Sequence, residues 1–254
     1  MKTKIGYLIP EFPGQTHIFF WREICTLESM AVDVHLVSTR RPPLFMMSHT
    51  WSSKAEGKTT YLSPPQYSMG ILIELFRCGP AGWFRCLWVI LKAKKVSLPE
   101  RLRLLALVLI GAELSHIAKV NKWKHVHVHS CADAANVAMF ANLISQLSYS
   151  ITLHGPLKDY GSNQEQKWHF ANFAIVITKK LYEEVNSTLA GYLPRKVIVA
   201  PMGVDSNVFT RNTPYLPWDG NGKCLIFSCG RLNPCKGHAD LITAIALLRE
   251  KGIN

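Results

Sequence analysis

Two cations spaced around a glycine turn carry the clearest chemistry in the chain: Gly230-Arg231-Leu232-Asn233-Pro234-Cys235-Lys236-Gly237-His238. The apolar run Cys224 to Cys229 precedes them, with Cys224 to Phe227 expected as a strand, and a helical pattern, Asp240 to Arg249, follows. A strand, a glycine turn and a helix bring backbone N–H groups and a helix N-terminus toward one point. Arg231 adds a bidentate fork and Lys236 a point charge, so the expected guest is an anion, with phosphate foremost.

A second group of residues is histidine-rich. His125, His127 and His129 alternate, so a strand places all three on one face. An H-x-H at a strand end can begin a zinc site, but a zinc site needs further ligands. Asp133 is the only carboxylate near them in sequence. The expectation is therefore no metal, with His129 lining a cleft and His125 at an exposed strand start. His154 follows the apolar run Tyr149 to Leu153. That places it at the carboxyl edge, where α/β sheets bind ligands. Gly14 follows the first strand. It serves either as a plain turn residue or as a point where backbone N–H groups approach a phosphate closely.

The elements that must hold these residues read as a parallel α/β sheet. Ile5 to Ile9 is a strand, Ile18 to Met30 a helix and Val32 to Val37 a second strand, which is a β-loop-α-β opening. Arg40 to Tyr67 reads as a long connection with little regular structure. Helices are expected at Met69–Phe76, Trp83–Lys92, Leu102–Val120, Ala132–Leu147, Asn163–Asn172 and Lys179–Leu189. Strands are expected at Val126–Val128, Tyr149–Leu153, Ala174–Ile177 and Lys196–Val199. The linker 211–222 then separates residues 1–210 from the start of a second α/β unit at 223–254.

Lys plus Arg number 29 against 17 Asp plus Glu, a formal charge of +12. This balance favours anionic partners. No helix-turn-helix or aromatic-basic RNA motif is present, which argues against nucleic acid. Seven cysteines form no C-x-x-C pair, and Met1 to Lys4 runs directly into a strand. The expected setting is reducing and cytoplasmic. The closest approach to a bilayer-spanning run is Leu104 to Ala112, which is short for one. The stretch from Arg77 to Lys124 sets Trp83, Phe84, Leu87, Trp88, Ile90 and Leu91 among Arg85, Lys92, Lys94 and Lys95. Two readings stay open for it: an interfacial helix on acidic lipid, or a core helix with a solvated basic face.

Four stretches in order resemble the family 4 glycosyltransferases, retaining enzymes with two facing Rossmann-like domains (the GT-B architecture). They are Phe12-Pro13-Gly14-Gln15-Thr16-His17, His127-Val128-His129-Ser130, Thr152-Leu153-His154-Gly155, and the pair Pro201-Met202-Gly203-Val204-Asp205 with Gly230-Arg231-Leu232…Lys236-Gly237. The similarity spans essentially the whole chain and is greatest to bacterial exopolysaccharide and colanic-acid-type transferases. A nucleotide-sugar epimerase shares the scaffold but matches the motifs less closely.

The resemblance implies transfer of a sugar from a UDP- or GDP-sugar donor to a glycan or polyprenol-linked acceptor, with no cofactor. The setting it implies is the cytoplasm, either free or peripheral on the inner face of the plasma membrane. Arg231, Lys236 and Gly237 would hold the donor diphosphate, and His154 would lie beside the transferred sugar without acting as a general base. Gly14, Gln15, Thr16, His129 and Asp133 would line the acceptor side. Family members often carry a Ser-Glu-Thr-like run where this chain has Gly14-Gln15-Thr16-His17. A complete second domain needs about 120–150 more residues, and the family's paired-Glu motif is missing. The expectation is thus a truncated or split transferase without turnover of its own. The alternative is a non-catalytic acceptor- or membrane-binding fragment that needs a partner polypeptide for the other half.

Overall fold

The computed structural model describes residues 2–94, 96–222 and 224–253. Lys95, counted above among the basic residues of the interfacial segment, lies outside them, as do Met1, Lys223 and Asn254. The chain divides into two compact units, residues 1–204 and 205–254.

The first unit is an α/β domain around one seven-stranded sheet. Its elements are β1 (Thr3–Glu11), α1 (Ile18–Ser29), β2 (Val32–Arg40), α2 (Ser52–Lys58), β3 (Thr59–Tyr61), α3 (Ser68–Arg77), α4 (Gly79–Lys92) and α5 (Leu98–Asn121). There follow β4 (His125–Val128), α6 (Asp133–Ser145), β5 (Ser148–Leu153), α7 (Gln164–His169), β6 (Phe173–Val176), α8 (Lys179–Thr188) and β7 (Val197–Val199). The strand order is β3-β2-β1-β4-β5-β6-β7, and every pairing is parallel. The order reverses between β1 and β4. In open parallel sheets that reversal opens a crevice at the strands' carboxyl ends, because the two connecting loops leave toward opposite faces. This Rossmann-like organisation is the one the sequence pattern predicts.

The period-2 alternation of the strands feeds two cores. Leu8, Val37, Val126, Val128, Ile151 and Ala174 face the larger one, built with α3 to α8. Tyr7, Ile9 and Leu36 face the smaller one, built with Phe20 and Ile24 of α1 and Ala55 of α2. Burial on both faces explains the near-continuous apolar reading of β1.

Three expectations change. The stretch Arg40–Tyr67 contains α2, a 3-10 turn at Leu44–Met46 and the edge strand β3. β3 is only three residues long, too short to show a period, and is defined by its pairing of Leu36 with Thr59 and Ser38 with Tyr61. Helix α5 starts at Leu98 rather than Leu102. Ser97 forms a capping box in which its backbone N–H and hydroxyl both donate to Glu100 Oε2, each at 2.7 Å. At 24 residues, α5 is long and apolar enough to cross a membrane by length and composition. Half of its most apolar window is buried inside the domain.

In the second unit, α9 (His238–Glu250) is the helix expected there, but Cys224–Phe227 is not a strand. A strand is stabilised by a neighbour's ladder hydrogen bonds, and no described residue pairs with this segment. Leu225 and Phe227 are exposed, as are Ile242 and Leu247 of α9.

Candidate functional site at the sheet's carboxyl edge

The site starts from an alternation shared by two neighbouring strands. In β4 the valines Val126 and Val128 enter the larger core, which turns the histidines to the α1 side. In β5, Ser148, Ser150 and Thr152 alternate in the same way. The ring nitrogens of His125 lie 2.9 Å from Ser148 Oγ and 2.6 Å from Ser150 Oγ. Those of His127 lie 2.6 Å from Ser150 Oγ and 2.9 Å from Thr152 Oγ1. Hydroxyls that can donate or accept thus satisfy imidazoles the sheet has taken from water. His125 is therefore not the exposed strand start that was expected. It is half-buried, and desolvation pulls its pKa down to about 4.

The ladder ends in a histidine pair. The His129 backbone N–H donates to the Leu8 carbonyl at 2.9 Å, which anchors the residue just past β4. Its Nδ1 lies 3.1 Å from Nε2 of His154, the residue just past β5. Phe19, Phe20 and Tyr7 enclose the pair, with Tyr7 4.5 Å from the His129 ring and Phe20 5.3 Å from the His154 ring, centroid to centroid. Burial is the largest influence on both imidazoles. It lowers His129 well below the ordinary value and His154 to about 4. Both rings are therefore neutral near pH 7.

Sequence reasoning missed Glu23. Its carboxylate oxygen Oε1 stands 3.5 Å from His129 Nε2. It belongs to α1, one turn from Phe20 and beside Ile24, the two buried residues of that helix. A carboxylate bordering the apolar stripe was the available signal. Tyr7, wholly buried beneath the pair, has its phenol pKa raised by burial first and then by Glu23. Glu23, His127 and His129 each offer a metal-ligand atom, all within 4.8 Å of one another. The nearby carboxylate is thus Glu23, not Asp133. Both nitrogens of His127 already have hydroxyl partners, so a metal would have to displace one of them.

The structure brings His129, expected on the acceptor side, together with His154, expected beside the transferred sugar. Gly14 is buried in the β1–α1 turn, where its carbonyl accepts from the His17 N–H at 3.0 Å. A Cβ there would lie 2.7 Å from the His17 ring, so any larger residue would have to displace that ring. Gln15 and Thr16 are exposed on the same turn, and His49 Nε2 donates to the Gln15 carbonyl at 2.6 Å. Asp133 turns elsewhere. It pairs with Arg103 of α5, accepts from Asn136 Nδ2 at 3.2 Å, and lines a separate cavity of about 200 Å³ with Glu100 and Tyr160.

Arg231, Lys236 and Gly237 belong to the second unit. Arg231 and Lys236 are exposed; Arg231 precedes a 3-10 turn, Pro234–Lys236, and Lys236 ends it, with Asn233 initiating the turn by accepting from the Cys235 N–H at 3.1 Å. Gly237 caps α9 with φ +67°, a left-handed conformation in which a side chain would be strained. The local arrangement offers two cations beside the N-terminus of a 13-residue helix. Compared with models of known protein families and with curated proteins, the chain matches none of them.

Proposed function

We propose that the chain is the acceptor-side domain and donor-domain start of a retaining glycosyltransferase with two facing Rossmann-like domains. The observation that carries this reading is the His129–His154 pair, set at the carboxyl edge of a parallel sheet next to the point where strand order reverses. A neutral, aromatic-enclosed imidazole suits a polyhydroxylated guest: His154, the half-buried member of the pair, hydrogen-bonds it without charge, while the buried His129 holds His154 in place. The Gly230–Gly237 turn supplies the complementary chemistry. Breaking a sugar–phosphate bond leaves charge on the departing diphosphate. Fixed cations at Arg231 and Lys236 stabilise that charge more in the transition state than in the ground state. The donor in this reading is a UDP- or GDP-sugar, and the acceptor is a glycan or polyprenol-linked glycan of bacterial surface polysaccharide.

A second reading, a membrane-binding fragment without turnover, has its own support. Phe76, Phe84, Trp88, Leu91 and Leu102 are exposed on α3, α4 and α5 beside Arg77, Lys92 and Arg103. Trp88 and Leu91 are thus not core residues. Ile90, grouped with them from sequence, is buried.

Thermal-shift screening against UDP, GDP and their sugars tests the proposal. A rise in melting temperature with one nucleotide, lost in Arg231→Ala and Lys236→Ala, is the expected result. In an assay of sugar transfer from the responding nucleotide's sugar, the same variants lower turnover by orders of magnitude. No response to any nucleotide, or unchanged rates in both variants, removes the diphosphate role.

A further inference from the structure

We infer that Glu23 sets the tautomer of the histidine pair, so that His154 presents Nδ1 as a hydrogen-bond acceptor. The protons along Glu23, His129 and His154 can be counted. The 3.1 Å separation between His129 Nδ1 and His154 Nε2 is a hydrogen-bond distance, and such a bond holds one proton. Two arrangements satisfy it. If His129 Nδ1 carries the proton, the neutral His129 ring has a bare lone pair at Nε2. That atom is buried, has no hydrogen-bond partner among the described residues, and sits 3.5 Å from the Glu23 carboxylate. A lone pair facing a carboxylate is repulsive, and solvent screens it only from the Glu23 side, whose side chain is 34% exposed against 1% for His129. If His129 Nε2 carries the proton instead, the positive end of the N–H dipole lies on the atom 3.5 Å from the carboxylate, and the repulsion becomes attraction. His129 Nδ1 is then the acceptor, and His154 must donate from Nε2. Its remaining nitrogen, Nδ1, is left with a lone pair.

The surroundings favour neutral rings, without which the count would fail. Burial lowers both histidines, and the rings that face them are Tyr7, Phe19, Phe20, His17 and His127. Glu23 is the carboxylate whose charge acts on the pair. The hydroxyls of Ser150 and Thr152 engage His127 and leave His129 to His154.

The consequence for recognition deepens the proposed function and rests on it: His154 accepts from a sugar hydroxyl. It does not donate to developing charge as the neutral imidazole does in its other tautomer. Glu23 is a positioning residue, since it acts through His129. The tautomer itself depends only on the three side chains, so its test is independent of whether the chain handles sugars.

The experiment is nitrogen-15 NMR of the full chain labelled at histidine, near pH 7.5, with His129→Gln and His154→Gln used to assign resonances. Expected for the native chain is His154 Nε2 in the protonated range and Nδ1 in the unprotonated range, with His129 Nε2 protonated. In Glu23→Gln the amide can also donate to His129 Nε2, so both rings shift toward an average of two tautomers. A folded Glu23→Gln chain with unshifted His154 nitrogens overturns the inference. So does a native His154 protonated at Nδ1. If EDTA removes a stoichiometric metal and moves the His129 Nε2 resonance, an ion occupies the position assigned to the proton, and the inference falls in that case too. An absence of nucleotide binding would overturn the proposed function while leaving the tautomer result standing.

Discussion

Glu113, in the middle of α5, holds the approach to α3: one carboxylate oxygen accepts from the backbone N–H of Tyr67 at 3.1 Å, 46 residues away in sequence. The same oxygen accepts from the Gln66 N–H at 2.6 Å. These donors lie just before Ser68, where α3 begins and its N–H groups have no helical partner. A fully buried carboxylate thus replaces the missing turn, and it ties the α3–α4 surface to the core.

Glu113→Ala leaves those N–H groups without their acceptor and is expected to cost about 1–3 kcal/mol. Urea unfolding reads it as a lower midpoint with an unchanged slope. Glu113→Gln keeps an acceptor oxygen and loses less. Burial raises the Glu113 pKa despite the two N–H bonds. With the folded value above the unfolded one, its contribution is fully present below the unfolded pKa and is lost as pH rises through the folded pKa. The stability of Glu113→Gln relative to the native chain therefore improves as pH rises from below 4 to 7. A constant difference across that range would contradict the assignment.

The histidines give the opposite slope. His125 and His154 titrate at about 4 in the folded chain, against about 6.5 in an unfolded one. The unfolded chain therefore binds more protons between those values. Stability is present above pH 6.5 and is lost as pH falls toward 4, by roughly 3 kcal/mol per residue at most. His127 and His129, lowered further by burial, extend the loss to lower pH. Unfolding midpoints measured at intervals from pH 7.5 to 4.5 should fall steadily. A flat profile would show that the imidazoles are not buried neutral.

Gly111 marks the closest approach of α5 to α6. A Cβ there would sit 2.7 Å from Phe140 Cβ, 3.0 Å from the Ala141 nitrogen and 3.1 Å from the Val137 oxygen. Alanine ordinarily improves a helix interior by about 1 kcal/mol over glycine. Here backbone atoms block the methyl group, and overpacking costs about 1–3 kcal/mol. Gly111→Ala is expected to lower the thermal midpoint. A raised midpoint would mean that the helices separate without cost.

The exposed α4 face makes a prediction about membranes. Lys92 Nζ lies 4.8 Å from the Trp88 ring centre, and Phe84 stacks near Trp88 at 5.9 Å. Aromatic bodies beside cationic heads suit an anionic interface. Co-sedimentation should show binding to phosphatidylglycerol vesicles, weakening with added salt, and little binding to phosphatidylcholine. Replacing Phe84, Trp88 and Leu91 together by Ser should weaken it at least about tenfold, given the apolar area removed. Equal binding to both vesicle types would argue against the surface.

Local pattern determined much of this protein. Period-2 runs gave most strands, the helical period gave α3 and α9 to within about two residues, and the alternation of helices with strands gave the parallel sheet. The His-x-His alternation placed three imidazoles on one face because the pleat allows nothing else. Tertiary structure alone decided which groups those imidazoles meet. Ser148, Ser150 and Thr152 reach them through the β4–β5 register, Glu23 arrives on a helix from the far end of the chain, and Asp133, nearest in sequence, turns to Arg103. The short strand β3 exists through its pairing with β2, and Cys224–Phe227, with the same apolar promise, has no paired neighbour among the described residues and is not a strand. The physical reason is common to all of them. Periodicity reports which face of an element is apolar, whereas hydrogen-bond partners and the charges beside a buried ring are set by long-range contacts that no local window contains.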